Sequence, residues 1–113
     1  NCIGTILLCN GQGRENRTHA PAAALEQIDR WASLGCEPFA MREGRQAWEL
    51  ALVVPVSSYF RHTLENLSGK TVRANFYKCG DKTSQPHFLS WNPIALPSPD
   101  FHCPAFFGEL NFE

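Results

Sequence analysis

The order of apolar and polar positions divides the chain into short segments, most of them with a two-residue period. Ile3-Gly4-Thr5-Ile6-Leu7-Leu8 is an apolar, partly β-branched run and predicts a first strand. Asn10 to Arg17 has no apolar residue and two glycines, the composition of a long turn. Pro21 suits the first turn of a helix, and Leu25, Ile28, Trp31 and Ala32 share one face at spacings of three and four. With Gly35 as the stop, this pattern predicts one long helix from Pro21 to Leu34. From Gln46 the period becomes two, with Trp48, Leu50, Leu52 and Val54 on one face and Glu49, Ala51 and Val53 on the other. This predicts a strand near the middle of a sheet, ended by Pro55.

Ser57 to Leu64 admits one or two helical turns behind a Ser N-cap, and Ser68-Gly69 turns the chain. Thr71 to Lys78 alternates again, placing Val72, Ala74 and Phe76 on one face and Arg73, Asn75 and Tyr77 on the other. His87 to Trp91 is a further short strand. Asn92 to Asp100 carries three prolines and must be an extended excursion. Gly108 to Glu113 alternates to the last residue and predicts a closing strand.

Size and charge narrow the classes open to these elements. The 113 residues, 43% hydrophobic with eight Phe, three Trp and two Tyr, are expected to form a single domain, residues 1–113, around one core. A net charge of -1 offers no excess positive charge for a phosphate backbone, so nucleic acid is not an expected partner. The longest apolar stretch, Leu50 to Val56, falls far short of the roughly 20 residues a membrane helix needs. Cys2, Cys9, Cys36, Cys79 and Cys103 are odd in number and contain no C-x-x-C, which argues against a disulfide framework and slightly favours a cytoplasmic setting over a periplasmic or secreted one. The start without Met, running almost directly into an apolar strand, reads as a fragment cut at a strand or as a processed terminus.

Three chemistries are compatible with the polar residues. Cys79, His87, His102 and Cys103 are permissible zinc ligands, but no paired-loop spacing supports them, and no metal site is expected. Cys79 with His87 and Asp81 or Asp100 would make a nucleophilic set, and Asp81, Asp100 and Glu109 would serve glycoside hydrolysis; neither has a motif behind it. A sugar-binding surface is the third. The C–H face of a pyranose stacks on an aromatic ring while amide and charged side chains meet its hydroxyls. Trp91 beside Asn92, and Arg73, Asn75 and Tyr77 on one strand face, supply those groups, with Asp81 close in sequence. Trp31 and Trp48 lie on apolar faces and are expected in the core. A purely structural domain, with Trp91 in its core, is the remaining alternative.

Trp48-Glu49-Leu50 leading to Val54-Pro55, then Arg73-Ala74-Asn75-Phe76-Tyr77-Lys78-Cys79-Gly80-Asp81-Lys82, Pro86 to Ile94, Pro99-Asp100-Phe101-His102 and Phe106-Phe107-Gly108-Glu109-Leu110 resemble, in order and spacing, bacterial proteins with a carbohydrate-binding module family 9-like domain. Asn1 to Thr5 looks like the middle of that domain, so the resemblance is to its C-terminal part. It implies a mainly β fold derived from a β-sandwich of the DOMON type. With the predicted helix, that means four to six mostly antiparallel strands and one long helix packed on them, α+β if the truncated half rearranges. It also implies a non-catalytic module that recognises oligosaccharide or polysaccharide, often joined to xylanases or other glycan-degrading enzymes. Relatives hold a terminal sugar between two Trp rings, of which Trp91 matches the later, and carry structural calcium in the full-length domain. No calcium ligand maps here, and no cofactor is expected; Met41 has no strand-face partner for haem. Exposed sheet edges in a truncated sandwich would favour a homodimer.

Overall fold

The computed structural model describes residues 1–12, 15–98 and 100–113, so Gly13 and Arg14 of the predicted turn and Pro99 of the predicted excursion lie outside the described residues. Two compact units emerge. One comprises Asn1–Gly11 and Asn16–Asn66; the other comprises Leu67–Glu113 with Gln12 and Glu15. Both are built from antiparallel strand pairs, and the fold is mainly β. Among the described residues no helix is long and apolar enough to cross a membrane.

In the first unit β1 (Cys9–Asn10) pairs with β2 (Thr18–His19). The Ile3–Leu8 run is not itself a strand. Gly4 adopts φ +76° and its N–H bonds to the Asn1 carbonyl, so the chain turns there before the ladder begins. The Ala20 N–H, donating to the Leu8 carbonyl, extends the ladder by one rung.

The long helix predicted from Pro21 to Leu34 does not form. α1 is a single turn, Ala22–Leu25, and the Ile28 N–H closes onto the Leu25 carbonyl before the chain extends into β3 (Asp29–Ala32). β3 pairs with β4 (Leu50–Val53) in the register Arg30 with Leu52 and Ala32 with Leu50. An isolated helix of this length is marginal in water, whereas Ile28 and Trp31 have side chains that suit strands. A partner strand 18 residues further on therefore decides the conformation. Ser33 prolongs the pair at both its groups: its N–H donates to the Glu49 carbonyl and its Oγ accepts from the Glu49 N–H at 2.8 Å.

β4 covers the middle of the strand predicted from Gln46 to Val54. Among the described residues it has one ladder partner, so it is not central in a sheet. Its even-numbered face does meet apolar neighbours. Leu52 and Val54, with Ile6, Leu8, Ile28 and Tyr59, line a hollow of about 260 Å³. Pro55 ends the strand as expected and leads into a 3-10 turn, Val56–Ser58, which packs against α1. Ala24, Ile28 and Ser58 are the buried residues there, and the Ser58 hydroxyl donates to the Ala24 carbonyl. Trp31 and Trp48 are exposed, not core residues.

In the second unit β5 (Thr71–Ala74) pairs with β8 (Gly108–Asn111), and β6 (Tyr77–Cys79) pairs with β7 (Phe88–Ser90). Gly69, at φ +68°, makes the turn expected at Ser68-Gly69, with the Lys70 N–H bonded to the Leu67 carbonyl. The closing strand stands where alternation placed it, and β7 lies within the short strand expected from His87 to Trp91. The single strand predicted from Thr71 to Lys78 is instead two. The chain changes partner at Asn75, whose amide replaces the missing ladder: Nδ2 donates to the carbonyls of Asn92 (3.0 Å) and Phe106 (3.2 Å), and Oδ1 accepts from the N–H of Phe76 (2.9 Å) and Asn92 (2.8 Å).

Asn75→Ala should leave two carbonyls and two N–H groups without these bonds. A loss of about 2–3 kcal/mol in unfolding free energy is expected, measured by urea titration against the parent chain. A loss below about 0.5 kcal/mol would show that water replaces the amide.

Candidate functional site

The partner switch at Asn75 determines what stands around Trp91. Alternation through Thr71–Ala74 puts Val72 and Ala74 inward, as expected, but the parity does not continue beyond Asn75. Phe76, placed by alternation with the apolar face, is 58% exposed, and Tyr77, placed with the polar face, turns partly inward. One rung past β7, the Trp91 N–H donates to the Phe76 carbonyl at 2.9 Å. Trp91 is 52% exposed, so it is not a core residue. Its ring meets Phe76 edge-on, with centroids 5.7 Å apart and planes at 62°.

Below the indole lies Gly108 of β8. A Cβ there would stand 3.1 Å from Trp91 Cζ3 and 3.3 Å from the Asn92 amide, so the ring occupies space that any side chain at 108 would contest. Asn92 is also tied to the backbone. Its N–H donates to Asn75 Oδ1 and its Nδ2 to the Phe106 carbonyl at 2.9 Å. With the Trp91 N–H on the Phe76 carbonyl, these bonds tie the backbone on both sides of the ring.

The six residues singled out in the sequence fare differently. Trp91, Asn92 and Asn75 converge, but both amide side chains are engaged with the protein's own backbone. Arg73, on β5 opposite Glu109, reaches the last turn before β8, its guanidinium donating to the carbonyls of Ala105 (3.1 Å) and Phe107 (2.9 Å). Tyr77 stacks on Phe101, with centroids 4.4 Å apart and an interplanar angle of 13°. Asp81 sits at the far end of the β6–β7 hairpin, where its Oδ1 accepts from the Cys79 thiol at 3.4 Å. The whole of β6 and Gly80 separate it from Phe76.

Sequence alternation missed Phe76. The signal was Asn75 itself, a residue depleted in strands and set in the middle of a predicted one.

The alternative chemistries find little geometry. His87 has both ring nitrogens engaged, Nδ1 with the Gln85 carbonyl at 2.8 Å and Nε2 with Lys78 Nζ, while its ring packs on Gly80 where a Cβ would not fit. The Cys79 thiol faces Asp81, not His87. No group of three or more His, Cys, Asp or Glu able to hold a metal occurs among the described residues. All five cysteines are free thiols.

Comparison with known proteins gives this arrangement a context. The sequence model of carbohydrate-binding family 9 matches residues 1–112, and the chain belongs to that family. The chain is also similar to a solved structure from Bacteroides uniformis ATCC 8492, of a protein to which carbohydrate binding is attributed. The two share 53% identity and superpose with a TM-score of 0.93 over the whole of this chain, which spans 52% of that protein. No curated protein matches.

The Tyr77 hydroxyl is buried without a hydrogen-bond partner. Burial pushes its phenol above the ordinary value of 10.0, the neighbouring Asn75 side chain opposes the shift, and the charge of Cys103 adds to it. Well below pH 10 the phenol is neutral in both the folded and unfolded chain. As pH rises past the ordinary value the unfolded chain releases its proton first, so stability is lost. Thermal unfolding at pH 7 and pH 10.5 should show a smaller alkaline loss of Tm in Tyr77→Phe than in the parent, with Tyr77→Phe at least as stable at pH 7. An equal alkaline loss in both would remove Tyr77 as its source.

Proposed function

We propose that this chain is a non-catalytic module that recognises oligosaccharide or polysaccharide, with the exposed face of Trp91 as the surface on which a sugar ring stacks. The observation that carries the assignment is the half-exposed indole, seated on Gly108 and held on both sides by backbone bonds, in a chain of carbohydrate-binding family 9. An aromatic ring fixed before the ligand arrives loses little conformational freedom on binding, and its face suits the apolar C–H side of a pyranose.

In this reading Asn75 and Asn92 hold the indole in position. Arg73 braces the turn before β8, and Tyr77 anchors the hairpin through Phe101. Asp81, distant from the ring, is at most an outer contact for a longer glycan. A fold derived from a β-sandwich, and a role beside enzymes that degrade glycans, belong to the same proposal. Family membership supports both.

Titration of the 113-residue chain with a mixture of xylo- and cello-oligosaccharides, followed by amide NMR, should shift the Trp91 indole signal and the amides from Phe76 and from Ser90 to Asn92 in a saturable manner. Trp91→Ala should weaken binding at least tenfold while keeping a dispersed spectrum. Dispersed signals that stay still across xylo-, cello- and other neutral oligosaccharides would refute the reading.

A further inference from the structure

We propose that Phe76 is a second contact ring of the sugar site and sets its selectivity together with Trp91. The proposal rests on the reading of Trp91 as the stacking surface.

Three observations lead to it. Phe76 presents 58% of its surface to solvent although Val72, Ala74 and Tyr77 on the flanking strands turn partly inward, and among the described residues its ring partner is Trp91, itself 52% exposed. A single exposed Phe needs no explanation, but two adjacent rings held at a fixed angle form a shaped apolar surface. The angle is set by the backbone as well as by the rings. The Phe76 N–H is tied to Asn75 Oδ1, its carbonyl to the Trp91 N–H, and the Trp91 ring to its seat on Gly108. These bonds hold the two backbones side by side, and the edge-on contact of the rings sets the angle between them.

At 62° the two rings make a corner, not a plane. A pyranose lying on the Trp91 face would bring C–H groups along one edge of its ring toward Phe76. That second contact would be made without ordering a loop, because both rings are already in place. It also constrains the ligand. A charged group directed at Phe76 would lose water with no donor to replace it, so a neutral edge is required there.

The consequence is testable with the same neutral oligosaccharide mixture. Phe76→Ala should weaken binding about tenfold, Phe76→Leu should lose nearly as much despite keeping apolar volume, and Phe76→Tyr should stay within about threefold of the parent. Isotope-filtered NMR on the complex should show contacts from the Phe76 ring protons to sugar C–H protons, a readout that a merely structural role would not produce. Because the side chain is exposed, the variants should keep dispersed amide spectra, and the Leu and Tyr variants separate a loss of ring contact from a shift of Trp91. If Phe76→Ala binds as well as the parent while Trp91→Ala does not, the proposal for Phe76 fails and the site at Trp91 stands. If neither substitution weakens binding, both fail.

Discussion

The second unit depends on one amide. Asn75 makes four hydrogen bonds, two as donor and two as acceptor, and so satisfies the whole capacity of its side chain. It does so where the backbone leaves one partner strand and takes another. Without such a side chain, the carbonyls of Asn92 and Phe106 and the N–H groups of Phe76 and Asn92 would need water at a partly buried position. The strand switch, the outward turn of Phe76 and the seating of Trp91 all follow from this residue.

Legibility in the sequence tracks how local each cause is. The strand from Thr71 to Ala74 and the closing strand from Gly108 were readable because alternation over a few residues reports which side of a strand is buried. The segment from Pro21 to Leu34 was not. Its spacings of three and four fit a helix, and Ala24 and Ile28 are buried at that spacing, yet Asp29 to Ala32 is claimed by Leu50 to Val53. Pairing across such a separation leaves no trace in the shorter window.

The candidate site shows a second kind of illegibility. Arg73, Asn75 and Asn92 carry the donors and acceptors that a sugar-binding surface needs, and the same groups serve equally well to bind the protein's own carbonyls. Residue type does not distinguish the two uses; only the coordinates of the partner do. Trp91 was legible as a candidate ring, with core and surface both open, because a Pro-rich loop follows it, whereas Phe76 was assigned to the wrong side by a parity that Asn75 interrupts. Arrangement around the ring thus came from structure, and the ring itself from sequence.

The seat beneath Trp91 links two positions that lie 17 residues apart. Gly108 contributes no atom to the indole's chemistry, yet the ring presses on the space it leaves vacant: a Cβ there would stand 3.1 Å from Trp91 Cζ3, closer than ordinary van der Waals contact. The two positions therefore share one volume. A larger residue at 108 is compatible with a smaller ring at 91, or with the same ring lifted away from the strand, and substitutions at these positions are expected to be accepted in pairs as the module diverges.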